Sequence, residues 1–274
     1  MIIHQPEIIR KDGHAFLWAK LEMDTKHDHF PDYVWYRVPE RYASGLCLQS
    51  DAFLVVGLLA GMYYGEDIQV RGPVSPRLAY HLDEYQFLLQ MRKPMEVQTV
   101  NVKYDHLHVI NESPLAVGTT FSGGVDSLYT TWSHLPANQP NHDYRVTHGI
   151  FIRGFDLLHS ENENYQNLFH RFRPVLQNID IELIELDTNI FSIIHQRLNF
   201  SYYYGPLIVS TGLSLSGMFK RFFVPSTWDY TTLSVNAHSS DPLVDGFLST
   251  DKMEIIHHGS TCKRVEKVER ISDW

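Results

Sequence analysis

Cysteine is almost missing from the 274 residues: Cys47 and Cys262 are the only two. They stand far apart and neither belongs to a CxxC, which excludes a disulfide framework and a cysteine-built zinc site within the chain. Positive charge is in deficit, with 23 Lys and Arg against 32 Asp and Glu for a net charge of -9. A non-specific nucleic-acid binder carries the opposite balance, and the basic residues scatter apart from Lys263-Arg264 with the nearby Lys267 and Arg270. No apolar run approaches the roughly 20 residues that a bilayer span needs. The opening Met1-Ile2-Ile3-His4-Gln5-Pro6-Glu7 lacks the apolar stretch of a signal peptide. The expectation is a cytoplasmic protein with neither a membrane nor a nucleic acid as partner. Sixteen histidines form no HExxH or similar ligand spacing; His27 and His29 flank Asp28 in a polar turn, and His257-His258 stand together near the end. Internal repeats and low-complexity tracts are missing too.

Apolar residues are plentiful at 43%, so a sizeable core is within reach, in one large domain or two small ones. The stretch with the clearest chemistry is Leu115 to Tyr129, where a short β-branched run leads into Ser122-Gly123-Gly124-Val125-Asp126-Ser127 and then a helix-like run through Trp132. Strand, glycine-rich turn and helix form a phosphate cradle. Two residues without Cβ let the backbone approach an anion, amides of the turn and helix start point at it, and Ser122 and Ser127 add hydroxyls. A carboxylate at Asp126 suits the helix start and makes sense beside a polyphosphate if an Mg2+ ion is shared between them.

Ser122 to Ser127 resembles the SGGxDS motif of the PP-loop ATP pyrophosphatases, a family that includes asparagine synthetase, GMP synthetase, NAD synthetase and 7-cyano-7-deazaguanine synthase. The resemblance implies an ATP pyrophosphatase-type ligase that cuts ATP between its α and β phosphates, adenylates a substrate and releases pyrophosphate. There is no Gly-Lys-Ser/Thr of a Walker A loop, so γ-phosphoryl transfer is not indicated.

Residues 1 to 112 read as an α+β unit with no assignable motif. Ala15 to Lys20 and Tyr33 to Val38 read as a hairpin, Ala52 to Met62 as an apolar helix capped by Ser50-Asp51 and ended by Gly65, and Ile68 to Val70 as a short strand. Gly72-Pro73 is expected to break the chain before a helix from Ser75-Pro76 to about Met91, with another strand at Val97 to Val102. The Pro-rich Gly72 to Arg77 suits either a substrate loop or a plain connection. From 113 to 274 the pattern alternates: strands at Val146 to Ile152, Ile181 to Leu186 and Phe222 to Val224, and helices at Asn162 to Leu176, Asn189 to Leu198 and Leu207 to Lys220. This predicts an α/β domain with a doubly wound parallel sheet, adenine nucleotide α-hydrolase-like by the resemblance. Ligands then sit beyond the carboxyl ends of the strands, the face expected to carry Ser122 to Ser127, Arg153 to Asp156, Asp187 and Ser226 to Asp229.

The resemblance assigns further residues. Main chain of Ile150, Phe151 and Ile152 would meet the adenine. Asp156 reads either as a ribose ligand or as a turn residue. Ser226-Thr227-Trp228-Asp229 resembles a segment of NAD synthetase that approaches phosphate and metal, making Thr227 an ATP ligand and Asp229, with Asp126, a Mg2+ ligand; an Asx turn is the other reading. Asp241-Pro242-Leu243 to Asp251-Lys252-Met253-Glu254-Ile255 is similar to a segment of 7-cyano-7-deazaguanine synthase. There Lys252, expected in the first turn of a helix, would join Asp126 as a catalytic residue by stabilising the departing pyrophosphate, with Lys263-Arg264 as the alternative cations. That family continues into a Cys-rich zinc segment. The two cysteines here imply a variant without zinc, or a chain from which that segment is missing. The expected reaction is adenylation of a small-molecule carboxylate or carbonyl followed by attack of a nitrogen nucleophile. A second copy of the chain or a separate nitrogen-donating protein stays open as partner. The rival readings are a tRNA-modifying or sulfur-transferring enzyme, and an ATP-binding module without turnover.

Overall fold

A computed structural model describes all residues except 26, 28, 29, 113, 156, 194–202 and 233–239. Among the described residues eleven strands form one mixed, mostly parallel sheet with helices against it, an α/β architecture. The strands are β1 (Ile2–Ile3), β2 (Glu7–Lys11), β3 (His14–Glu22), β4 (Tyr33–Pro39), β5 (Ile68–Val74), β6 (Val102–Leu107), β7 (Ala116–Thr120), β8 (His148–Arg153), β9 (Glu182–Thr188), β10 (Phe219–Pro225) and β11 (Glu254–His258). The helices are α1 (Asp51–Tyr64), α2 (Pro76–Arg92), α3 (Val125–Ser133), α4 (Asn162–Gln177), α5 (Tyr204–Ser214) and α6 (Arg264–Ile271). The order is β11-β10-β7-β8-β9-β4-β3-β1-β5-β6, with β2 beside β3.

From β11 to β9 all neighbours are parallel. Strand β4 then joins β9 antiparallel, with Tyr36 opposite Thr188 and Arg37 opposite Asp187, so strands from 1–112 and from 113–274 share one hydrogen-bonded sheet. The alternation of β3, buried at Ala15, Leu17, Ala19 and Leu21, is the period-2 signature of a strand with one face to the core. Helix α1 is buried at every residue from Asp51 to Met62, as expected of a helix apolar all round. It packs on α5, which is likewise buried.

A flat sheet would hold β6 and β7 about 34 Å apart, seven spacings of about 4.8 Å. The eight residues between Leu107 and Ala116 reach at most about 30 Å. The sheet therefore curls around α1 and α5. Ties between its two ends close the curl: Ser75 Oγ donates to Asp251 Oδ2 at 2.7 Å, and Arg92 meets Asp241 at 2.5 Å. The other face of the parallel strands carries a second apolar cluster, with Phe121, Phe151, Tyr165, Phe169 and Phe223.

Several boundaries differ from the sequence expectation. Strand β5 runs through Gly72-Pro73 to Val74, where a bulge between Val70 and Pro73 absorbs the proline in the pairing with β6. Gly72 to Arg77 is thus divided between the end of β5 and the start of α2, with Ser75 as the side-chain cap of the helix. The strand expected at 97–102 lies at 102–107 instead. Helix α5 stops at Ser214, and Phe219 and Lys220 already belong to β10. The helix expected from Asn189 is a 3-10 turn at Ile190–Ile193, and its remainder lies outside the described residues. The helix expected from Asp251 is strand β11: Ile255 and Ile256 extend the parallel ladder on β10 rather than a helical face. No helix among the described residues is long and apolar enough to cross a membrane.

Candidate functional site

The chain leaves β7 at the place where the strand order reverses. Strands β8 and β9 are added on one side of β7, β10 and β11 on the other. At such a switch point neighbouring loops diverge and open a crevice at the carboxyl ends of the strands. A cleft of about 420 Å³ lies there, lined by Ser122, Gly124, Asp126 and Ser127 of the loop, Ile150 to Ile152 of β8, Phe155, Tyr204, Ile208, Thr227 and Arg264 among others. That volume falls within the ordinary range of small-molecule sites.

The loop is shaped by its glycines and fastened by its serines. Gly123 has φ +76°, and a Cβ there would stand 2.3 Å from the Phe172 ring of α4, so only glycine fits both the left-handed backbone and the space. Gly124 is the N-cap of α3 in extended conformation. Ser127 Oγ accepts from Ser122 N at 3.3 Å and donates to Gly124 O at 2.9 Å, which holds the turn against the helix start. The first α3 bond runs from Leu128 N to Gly124 O. The amides of Val125, Asp126 and Ser127 precede it and have no acceptor within the helix. Gly123 and Val125 shape the loop, although their side-chain positions do not line the cleft.

Main chain of β8 forms the opposite wall. Ile150 O accepts from Phe121 N at 2.9 Å, where β7 is ending. Along a pleated strand every second residue directs its amide and carbonyl to the same side, so Ile152 is the next to face the space that β7 vacates. Phe151 faces the other way, its carbonyl accepting from Tyr165 Oη at 3.0 Å.

At the mouth of the cleft Asp126 meets two cations from α6. Lys267 Nζ donates to Asp126 Oδ1 at 3.0 Å and also to Ser226 O, and Arg264 Nη2 lies 3.8 Å from Asp126 Oδ2. The Lys267 side chain is 1% exposed, with its ammonium 5.8 Å from the centre of the Tyr129 ring. Burial pushes the neighbouring His258 down to about 3, so that imidazole is neutral and adds no positive charge beside Lys267. Sequence reading missed Lys267 because charged helix residues are expected to face water. In the structure the order is reversed: Val265 is 69% exposed and Val268 45%, and the face that carries Lys267 points inward.

Lys252 is not in this site. It precedes β11, at the end of the sheet opposite the loop, where its largely covered side chain donates from Nζ to Oε2 of the exposed Glu112 at 3.1 Å. The helix that was to carry it across does not form. Asp229 does not face the cleft either: its carboxylate accepts from the amide and hydroxyl of Thr231 and from the Thr232 hydroxyl. The Thr231 hydroxyl bond foremost, and then that of Thr232, hold its carboxyl well below the usual range. It is the Asx-turn reading of that segment that this geometry follows. Thr227 lines the cleft. Asp156 lies outside the described residues. Asp187, expected on the ligand face, is enclosed by Arg37, Arg153 and His159. Cys47 and Cys262 are both free and buried.

Among the described residues no group of three or more His, Cys, Asp or Glu could hold a metal ion. A Mg2+ ion that arrives with a polyphosphate needs only one or two protein carboxylates. Asp126 fits that requirement because it lines the cleft beside the loop, whereas Asp229, turned to its two threonines, does not line it. Comparison with protein-family models, with curated proteins and with solved structures finds no match to this chain.

Proposed function

We propose that this protein is an AMP-forming ATP pyrophosphatase-type enzyme of adenine nucleotide α-hydrolase-like fold, and that the cleft beyond β7 takes ATP with Mg2+. The single observation that carries the reading is the conjunction, at the sheet's switch point, of a left-handed glycine turn with unpaired helix-start amides and a carboxylate flanked by two cations. Polyphosphate oxygens would accept from the amides of 123–127 and the Ser122 hydroxyl. Adenine would lie along β8, with Ile152 offering main-chain bonds and Ile150 and Phe155 apolar surface. Mg2+ at Asp126 would offset phosphate charge.

In the first step a carboxylate or carbonyl oxygen of a small-molecule substrate attacks the α-phosphorus, the bond to the β-phosphate oxygen breaks, and pyrophosphate leaves. A nitrogen nucleophile, from a small molecule or a separate donor protein, then attacks the activated carbon and AMP departs with the oxygen. Arg264, which lines the cleft, would meet the negative charge that grows on the departing pyrophosphate, and the buried Lys267 would support it from behind Asp126, a task in which fixed cations are effective. Sulfur transfer needs a reachable thiol, and burial of both cysteines argues against it. Incubation with ATP, Mg2+ and pooled small-molecule carboxylic acids, followed by nucleotide chromatography, tests the reading. AMP and pyrophosphate are expected, and ADP with phosphate as the main products would overturn it.

A further inference from the structure

Next to the cleft lies a buried Asp-His-Ser series. His257 Nδ1 is 2.7 Å from Asp245 Oδ2 and His257 Nε2 is 3.0 Å from Ser260 Oγ. These are the spacings of a nucleophilic triad, but the hydrogen count decides against one. Ser226 Oγ lies 2.6 Å from Trp228 O. A carbonyl cannot donate, so the one hydroxyl proton of Ser226 occupies that contact. Ser260 Oγ lies 2.8 Å from Ser226 Oγ, so this bond must use the proton of Ser260. The contact between Ser260 and His257 is then made by a proton on Nε2. The 2.7 Å contact between Nδ1 and Asp245 also requires a proton between its atoms. His257 and Asp245 therefore share two protons, as imidazolium and carboxylate or as imidazole and acid. Neither state leaves a lone pair on Nε2 to take a proton from Ser260, so Ser260 has no base. It is 4% exposed and does not line the cleft.

The series leads elsewhere. All its hydrogen bonds from His257 onward point the same way, through the hydroxyls of Ser260 and Ser226 to Trp228 O, and the main-chain carbonyl of Ser226 accepts from Lys267. Ser226 is also tied by its amide to His258 O at 2.7 Å. At the far end Ser240 Oγ donates to Asp245 Oδ2 at 2.8 Å. Asp241 beside Asp245 is occupied by Arg92. A buried ammonium has few acceptors, and besides Asp126 the acceptor here is the carbonyl of Ser226, the residue whose hydroxyl stands in this chain.

We infer that Ser260, oriented by the Asp245–His257 pair, is a positioning residue that fixes the Ser226 carbonyl and through it the Lys267 ammonium against Asp126. For its catalytic consequence this rests on the nucleotide reading above, but the placement of Lys267 can be read without turnover. In protein labelled with 15N at lysine Nζ, a buried, hydrogen-bonded ammonium gives a slowly exchanging resonance, assignable by its loss in Lys267→Met. The wild type should show it. Ser260→Ala should broaden it or speed its exchange, and Ser260→Thr, which keeps the hydroxyl, should retain it. Ser226→Ala cuts the same chain from the other side and should act like Ser260→Ala, which covers a fold failure in either. In the AMP-forming assay Ser260→Ala should lower turnover about tenfold to a hundredfold, the scale of a small misplacement, with ATP affinity unchanged and Ser260→Thr restoring the rate. An unaltered resonance in both alanine variants, a wild type without one, or equal loss in Ser260→Thr would overturn the inference. Absence of AMP formation in the wild type would instead count against the nucleotide reading alone.

Discussion

Lys267 Nζ donates to Asp126 Oδ1 at 3.0 Å across 141 residues of sequence, joining α6 to the first turn of α3. A buried ammonium is stabilised only by close acceptors, and here they are a loop carboxylate and the Ser226 carbonyl. Replacing Lys267 by Met should therefore lower the rate of AMP formation by on the order of a hundredfold, as for loss of one fixed electrostatic group, with a smaller effect on ATP affinity. Lys252→Met, at the opposite end of the sheet, should leave both unchanged. Steady-state kinetics on the two variants checks the assignment, and a larger defect in Lys252→Met would reverse it.

The two loop glycines should fail differently. Gly123→Ala places a methyl group against Phe172 on a left-handed backbone, so its melting temperature should fall, with a backbone cost of about 1–3 kcal/mol. Gly124→Ala adds a methyl 3.3 Å from Ser122 Oγ in the lining of the cleft. It should melt like the wild type and bind a non-hydrolysable ATP analogue more weakly. Calorimetry of both unfolding and binding separates the cases, and equal melting temperatures with equal affinities would contradict them.

Magnesium dependence should follow one carboxylate. Asp126→Asn should raise the Mg2+ concentration needed for nucleotide binding. Asp229→Asn should leave it unaltered, because that carboxylate serves Thr231 and Thr232. Titration of nucleotide binding with Mg2+ would refute this by showing a shift in Asp229→Asn.

Asp51 should impose a pH dependence on stability. It is buried with Oδ1 accepting from Ser75 N at 2.9 Å and Oδ2 without a partner among the described residues. Burial pushes its carboxyl up to about 7. The unfolded chain releases this proton near 3.9. Between about 3.9 and 7 the folded state therefore holds more protons, and its stability falls as pH rises, levelling off above about 7. Asp51→Asn should remove this slope, so its stability relative to wild type should improve from pH 4 to pH 8. Urea unfolding at both values measures it, and a constant difference would exclude the carboxyl as the cause.

Much of the frame was legible because its signals are local. The alternation at 15–20 and 33–38, the caps at Ser75 and Gly65, and the glycine turn at 123–124 each need only neighbouring residues to be read. What sequence could not supply was level along the sheet. Whether Lys252 stands near Ser122 depends on the pairing of Glu254 with Arg221, which puts it at the wrong end. Lys267 is hidden for the opposite reason: Arg264-Val265-Glu266-Lys267-Val268 follows a surface-helix pattern, and its orientation is set by Asp126 and Ser226, residues from two other elements. In Asp229 the same letters suit a metal ligand or a turn, and only the threonine contacts distinguish them.

The span from Asp126 to Lys267 also sets an order of events during synthesis. At about 5–20 residues per second, the glycine turn leaves the ribosome many seconds before α6 exists. For most of that interval the loop carboxylate stands without its ammonium, and Ser226 and the edge strand β11 are made only towards its end. The charge arrangement around Asp126 is therefore completed only once α6 has been made.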